Sequence, residues 1–242
     1  MKRIALIACS LALLLGCNRH AAHNVQPSPT AYGTAIVEVS GGKQISAAGA
    51  ILDQPIVVQV NDAQGNGVTG AYVDLHAVDG VTFDPAAGLT DSSGQFTANV
   101  TLGGEPGRYQ LMAVTRDKSG KSYSLPLEEI ALDYQQGHGR ALNQQYCARC
   151  HNPESTPERV SNMDNLNTKP HAFTEGDALN KISDADLASI ITHGGAALNK
   201  SAEMPPYGYT LSKGDIEALV AYIRAVADPP YPAKGIVYAK NN

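Results

Sequence analysis

The hydrophobic pattern changes its period near residue 133, and this change limits the chain to a two-domain architecture. Before it, apolar residues alternate with polar ones in short runs such as 56–60 and 96–100. After it, apolar residues recur at helical spacing, as at positions Ile216, Leu219, Val220 and Ile223. Because the two periods belong to different layer architectures, we predict an all-β domain at 33–133 and an all-α domain at 134–233. Residues 234–242 are expected to form a C-terminal tail.

The β part of the sequence consists of short runs rich in Val, Ile, Tyr and Thr that are separated by turn signals. The turns include Gly65-Asn66-Gly67 and the 91–94 segment. Several short strands at this spacing predict a β-sandwich. The turns that begin at Asp62 (D-x-x-G-N-x-V-x-G) and at Thr90 (T-D-x-x-G) resemble those of bacterial Ig-like domains of the invasin/intimin type. Since this domain has no cysteine pair and no tryptophan, we expect no disulfide between its sheets.

The N-terminus has the features of an export signal. Lys2 and Arg3 precede an apolar run at 4–15, which is short for a membrane-spanning helix and typical of a signal peptide at 1–16. The segment that ends this run, LLGC with Cys17 last, resembles the lipobox of bacterial lipoproteins. That resemblance implies cleavage before Cys17 and acylation of its thiol, with 17–32 as a lipid anchor and flexible tether. A plain signal peptide that happens to end near a cysteine is the alternative.

The location of the protein follows from the same segment. A lipobox implies a cell-envelope lipoprotein that faces the periplasm or the cell surface. Asn18 replaces the aspartate that commonly retains such lipoproteins at the inner membrane, which favours the outer membrane. The formal net charge of −5 argues against a nucleic-acid partner, because such proteins present a basic face.

The chemistry of the chain is concentrated in a C-x-x-C-H motif formed by Cys147, Cys150 and His151. At helical spacings of i, i+3 and i+4 the three side chains share one face and can meet one flat ligand. Two thiols can add to the vinyl groups of a haem while the histidine reaches the iron, so we predict one covalent haem c. A disulfide, a thioredoxin-like pair and a zinc site are the alternatives. The first does not explain the histidine, the second lacks a βαβ context, and the third lacks further ligands.

The second axial ligand is predicted to be Met204. Pro205 and Pro206 follow it, so it is pushed into an extended loop instead of a helix. Two histidines compete for the iron: His193 at the end of a predicted helix and His171 beside a proline. We expect the first to be a helix C-terminal residue and the second a loop residue. His138 is expected to be a solvated residue near the domain boundary.

These features together resemble a class I cytochrome c domain. The resemblance rests on Gly139 before the C-x-x-C-H motif, the Ile-Thr-His-Gly segment at 191–194, the Met-Pro-Pro-Tyr loop at 204–207, and Tyr222 in the last helix. It implies that the first and last helices cross beside the haem, with Gly139 and Tyr222 at the crossing. Asn143 departs from the aromatic residue that the family often has there.

The resemblance also bears on the haem propionates. In the family these groups are often held by aromatic or basic side chains near the methionine loop. Tyr207, Tyr209 and Lys213 are the candidates for that role here.

The predicted function is single-electron transfer without enzymatic turnover. Histidine and methionine together saturate the iron, so small substrates are kept from it. The expected partners are redox proteins of the envelope, the membrane through the lipid anchor, or the other subunits of a larger oxidoreductase complex. Two alternatives belong to other classes. One is a haem enzyme or sensor with an open sixth iron position; the other is an adhesive or structural Ig-like lipoprotein.

Overall fold

A computed structural model describes residues 27–78, 80–152 and 161–232. The predicted signal peptide, the Cys17 anchor and the 234–242 tail lie outside these residues. Within them the chain forms nine strands followed by five α-helices. No helix among the described residues is long and apolar enough to cross a membrane.

The strands build two sheets that pack face to face. One sheet has the order β1-β3-β7-β5 and the other β2-β9-β8-β4-β6. All pairs are antiparallel except β2 with β9. The strands are β1 (Ala35–Ser40), β2 (Ile45–Ala47), β3 (Ile56–Asn61), β4 (Tyr72–Ala77), β5 (Thr82–Asp84), β6 (Ala87–Leu89), β7 (Gln95–Thr101), β8 (Gly107–Arg116) and β9 (Ser122–Leu132).

The interior of the sandwich is made by the alternating residues of these strands. Val58, Val60, Val73 and Val100 have no solvent-exposed surface, and their sequence neighbours are less buried. The alternation predicted from the sequence is therefore confirmed, since a strand turns successive side chains to opposite faces. One inward position carries a charge-bearing group, Glu129 of β9, which is fully buried.

The second region is helical. Its helices are α1 (Tyr134–Leu142), α2 (Ala148–His151), α3 (Gly176–Leu179), α4 (Asp184–His193) and α5 (Lys213–Val226). A π-helical turn, Asn143–Cys147, joins α1 to α2. Ser183 and Ser212 each accept a hydrogen bond from the backbone N–H three residues later, at the starts of α4 and α5. Both serines thus cap the helices as their sequence context predicted.

The first and last helices cross at a glycine. A Cβ atom added to Gly139 of α1 would lie 2.0 Å from the carbonyl oxygen of Ala218 and 2.8 Å from Cβ of Tyr222. Only glycine permits this approach of α1 to α5. His138, its neighbour in the chain, is exposed, as expected of a solvated residue, but it does not belong to a linker. It lies in α1, and its Nε2 is 2.6 Å from Asp215 of α5, so it joins the two helices.

The sandwich and the helical region are in direct contact. Leu132 ends β9, and Asp133 caps α1 by accepting a hydrogen bond from the backbone N–H of Gln136. Helix α5 packs on the outer face of the five-stranded sheet, at strands β2, β9 and β8. The side chains buried or partly buried between the two regions are Ile45, Ile130, Leu132, Phe173, Tyr222, Ala225 and Val226.

Candidate functional site

A cavity of about 350 Å³ lies in the helical region. That volume is within the range of small-molecule and cofactor sites. Most of its lining is apolar. Its walls include Leu179, Ile182, Leu187, Ile190, Ile191, Pro205 and Ile223. The four predicted haem-binding residues also line it: Cys147, Cys150, His151 and Met204. The fold therefore brings residues from the start and the end of the helical region to one cavity, while their roles as ligands stay predictions.

The two cysteines lie where the chain changes from one helix type to another. Cys147 ends the π-helical turn and caps α2, which contains Cys150 and His151. Both thiols are free in this structure. Burial, and to a lesser extent the nearby Cys150, raises the pKa of the Cys147 thiol to about 12. A reactive dithiol of the thioredoxin kind needs the opposite shift, so the burial of Cys147 disfavours that alternative.

His151 is held in one tautomer by its surroundings. Its Nδ1 lies 2.7 Å from the carbonyl oxygen of His171, and a carbonyl only accepts, so Nδ1 carries the proton and donates it. Nε2 is then the unprotonated nitrogen, with its lone pair available to a metal. Burial lowers the pKa of His151, which favours the same neutral form. Its ring packs on Phe173 with centroids 4.9 Å apart.

The loop that supplies the His171 carbonyl is itself anchored. Nδ1 of His171 lies 2.7 Å from the Glu175 carboxylate, which also accepts a hydrogen bond from the Ala172 backbone N–H at 3.0 Å. The hydrogen bond with the His171 side chain is the largest of the causes that lower the pKa of Glu175. Because this loop is anchored, the His171 carbonyl has a fixed position. Its hydrogen bond then sets the orientation of the His151 ring.

Met204 lies in a loop that is fastened to the end of α4. The Gly195 backbone N–H donates to the Met204 carbonyl oxygen at 3.0 Å, and the Tyr207 N–H donates to the carbonyl of Ile191 at 3.0 Å. Gly194 lies between them with φ of 77°, and a Cβ there would come within 3.0 Å of the Met204–Pro206 backbone. Glycine is needed at this position both for its conformation and for the close approach.

Of the predicted propionate contacts, only Tyr207 lines the cavity. Its hydroxyl donates to the carbonyl oxygen of Tyr146 at 3.0 Å, and burial raises its pKa. The other two candidates, Tyr209 and Lys213, are not among the residues that line the cavity. Tyr209 is 99% exposed, and Lys213 pairs with Glu217 on the surface of α5. The cationic side chains that do line the cavity are Lys169 and Lys200, which the sequence reasoning missed.

The two competing histidines differ in position. His193 ends α4, and its Nδ1 lies 3.0 Å from the Ser189 carbonyl, outside the described lining of the cavity. His171 lines the cavity, but its Nδ1 is engaged with Glu175. Phe173, which supports His151, was also missed. Lys169, Phe173 and Lys200 lie in two loop segments of mixed polarity with no periodic signal, so only the fold reveals their positions.

Comparison with known families identifies the helical region. Residues 135–223 match the family model described as cytochrome C oxidase, cbb3-type, subunit III. The helical region contains a cytochrome c family domain. The match implies a haem cofactor, and the cavity fits one, because it is apolar and holds a histidine whose Nε2 is available for coordination.

Comparison with curated sequences gave no match. Among solved structures, the chain is similar to the D00-D0 domain of intimin, with 16% identity over 44% of this chain and 51% of that one, and a TM-score of 0.31. A conjugative transposon lipoprotein from Bacteroides eggerthii has 15% identity over 39% and 94%, with a TM-score of 0.29. The adhesin InvE of Yersinia pseudotuberculosis has 18% identity over 44% and 33%, with a TM-score of 0.30. The chain thus spans about half of the intimin fragment.

Proposed function

We propose that this chain is a lipid-anchored cytochrome that binds one covalent haem c and passes single electrons between redox partners of the cell envelope. The observation that carries the proposal is the state of His151. Its Nδ1 donates to a backbone carbonyl, its Nε2 is unprotonated, and it lines the same cavity as the cysteine pair and Met204. A cytochrome c family match over 135–223 supports the same chemistry.

A bound haem supplies the one-electron couple between ferric and ferrous iron. The residues of the chain do the rest. His151 would hold the iron through Nε2, in an orientation set by the hydrogen bond of Nδ1 to the His171 carbonyl. Met204 offers its thioether from a loop held by Gly195 and Tyr207. The apolar walls exclude water and reorganise little between redox states, which is what an electron carrier needs.

Covalent attachment is proposed for Cys147 and Cys150. The two residues would hold a haem through thioether bonds, each made by adding one S–H, sulfur to one carbon and hydrogen to the other, across a vinyl group. The addition suits the site because Cys147 is partly buried in surroundings that disfavour a thiolate. A thioether cannot ionise, so apolar surroundings do not disfavour it.

The first test is the visible spectrum of the purified protein, oxidised and reduced, with and without carbon monoxide. We expect a c-type reduced spectrum, a far-red band from methionine on ferric iron, and no response to carbon monoxide. Binding of carbon monoxide together with a missing far-red band would contradict the electron-transfer function. It would favour a haem enzyme or sensor with an open sixth iron position.

Met204→Ala tests the second ligand. We expect the variant to bind carbon monoxide fully and to have a lower reduction potential, because loss of the thioether frees the sixth position. Met163→Ala is the control. Met163 is the other methionine of the helical region and is buried, but it is not among the lining residues of the cavity. An unchanged potential and spectrum in Met204→Ala would remove this residue from the site.

The membrane anchor rests on the sequence around Cys17 and is tested by fractionation. Cys17→Ala should move the protein from the membrane to the soluble periplasmic fraction, because acylation needs the thiol. Cys9→Ala is the matched control, since Cys9 lies within the predicted signal peptide and is removed with it. Release of both variants, or of neither, would contradict acylation of Cys17. Separation of inner from outer membranes would test the outer-membrane location.

A further inference from the structure

The contact between the sandwich and the cytochrome domain begins with an apolar cluster. Ile45 and Ile130 project from the outer face of β2 and β9 and pack with Tyr222 and Val226 of α5. Of these, Tyr222 and Val226 are 7% and 2% exposed. Burial at this level removes water from the contact, and close-packed interiors transmit displacement from one side chain to the next.

An arginine from the sandwich completes this contact. Arg108 of β8 donates from Nη2 to the carbonyl oxygen of Ala227 at 2.6 Å and to that of Ala225 at 3.5 Å. Those carbonyls belong to the C-terminal end of α5, where the helix has no backbone donors left to satisfy them. Glu128 of β9 forms an ion pair with Arg108 and holds it in place. The sandwich thus supplies the cap of the last cytochrome helix.

The contact continues from the cluster to the cavity. Phe173 packs against Tyr222 with ring centroids 6.5 Å apart and against His151 with centroids 4.9 Å apart. It belongs to the apolar cluster between the two regions and also lines the cavity. One side chain therefore links the surface of the β-sandwich to the histidine that the proposed function makes an iron ligand.

We propose that the β-sandwich positions His151, the proximal ligand of the haem. Phe173 is the positioning residue, and the hydrogen bonds of Arg108 to the end of α5 keep the sandwich in place. The proposal rests on the proposed function. The hydrogen bond to His171 leaves the His151 ring free to tilt about the Nδ1 direction, and the face of Phe173 limits that tilt. Residues that orient a metal-bound histidine tune the metal even without touching it. The sandwich is then part of the redox site's support and more than a spacer.

The test compares two arginines of one strand. Arg108→Ala removes the cap of α5, while Arg116→Ala removes an exposed arginine at the other end of β8. Neither residue lines the cavity. We expect Arg108→Ala to change the equilibrium constant for reduction about threefold, roughly 28 mV at 59 mV per tenfold for one electron, with altered Soret circular dichroism. Arg116→Ala should match the wild type in both measurements.

A second pair of variants keeps the test decisive if Arg108→Ala does not fold. Phe173→Leu removes the aromatic face against His151, and Ile130→Ala trims the cluster from the side of the sandwich. Both should move the potential in the same direction as Arg108→Ala, with Phe173→Leu giving the largest change. Potentials equal to wild type in folded Arg108→Ala and Ile130→Ala proteins would overturn the proposal.

Failure of the proposed cytochrome function and failure of the positioning role would give different results. In the first case the wild-type protein itself would lack a c-type spectrum, and no potential could be compared. A wild-type holoprotein with normal axial ligation, together with sandwich variants of unchanged potential, would reject the positioning role alone. A third readout does not use the haem: hydrogen exchange of backbone amides at 171–175 should become faster in Arg108→Ala and not in Arg116→Ala.

Discussion

The two regions of this molecule fill their interiors in different ways. The sandwich is closed by its own side chains: of the ten largest fully buried side chains among the described residues, only Leu219 belongs to the helical region. The helical region instead surrounds a cavity, and Tyr146, Cys147, Met204 and Tyr207 at its wall are only partly buried. The sandwich therefore completes its core with its own side chains, whereas the helical region lines a cavity that fits the haem implied by the family match.

Removal of His151 is the strongest test of this difference between the sandwich and the helical region. His151→Ala should abolish stable haem insertion, because the variant offers no nitrogen ligand from the C-x-x-C-H motif. The helical region should then melt well below the wild type while the sandwich persists, as followed by circular dichroism and by haem content. His193→Ala, an exposed histidine at the end of α4, should keep its haem. A normal holoprotein from His151→Ala would contradict the ligand assignment.

A smaller effect is expected where the first and last helices cross. Gly139→Ala places a methyl group 2.0 Å from the Ala218 carbonyl oxygen, so α1 must move away from α5. We expect a loss of about 3 kcal/mol or more in the free energy of unfolding, at the upper end of overpacking costs. Chemical denaturation followed by helix signal measures it.

The matched control for this change is on the same helix. Gly137→Ala meets no atom within 4 Å and should raise stability by up to about 1 kcal/mol through helix propensity. Equal losses from both glycines would show that the crossing is not the cause. A loss confined to Gly139→Ala that also lowers haem content would tie the crossing to the cavity.

The smallest effect concerns the one carboxylate inside the sandwich. Burial, aided by Glu38, raises the pKa of Glu129 to about 7 from an ordinary 4.5, although the Gln44 N–H donates to it. The folded state therefore binds a proton more tightly than the unfolded state. The sandwich should lose roughly 3 kcal/mol as pH rises from about 4.5 through 7, and nothing further once Glu129 is fully ionised, about one pH unit higher.

Glu129→Gln removes the titrating group and keeps its shape. Thermal unfolding between pH 4.5 and 8 should show a flatter stability profile in this variant than in the wild type, with the variant more stable at pH 8. Glu105→Gln, at an exposed position of the same domain, should leave the wild-type profile unchanged. A wild-type profile in Glu129→Gln would assign the pH dependence to another group.

Much of this architecture follows from sequence patterns. The alternation around Val58, Val73 and Val100 predicts the sandwich interior, and Ser183 and Ser212 predict two helix starts. Such features are local, because they depend on residues within one strand or one turn. The shared position of Cys147, Cys150, His151 and Met204 at one cavity also agrees with the sequence, whereas their roles as ligands stay predictions.

Other features depend on contacts that no local pattern encodes. Arg108 meets the Ala227 carbonyl 119 residues further along the chain. Phe173 has no periodic context, and the role of the His171 backbone carbonyl does not depend on its side chain. The burial of Glu129 also escapes a local reading, because it occupies an inward position that the alternation assigns to an apolar residue. In each case, distant segments must be placed before the residue acquires its role.

The junction between the regions has a consequence for how such a protein can evolve by domain exchange. Strand β9 ends at Leu132 and α1 starts at Tyr134, so the single residue Asp133 is the whole connection. One inserted residue would turn α1 by about 100° about its axis relative to the strand. A recombined gene must therefore join strand and helix in the same phase, and a grafted domain with a different last strand would lose the α5 contact even if it folded well.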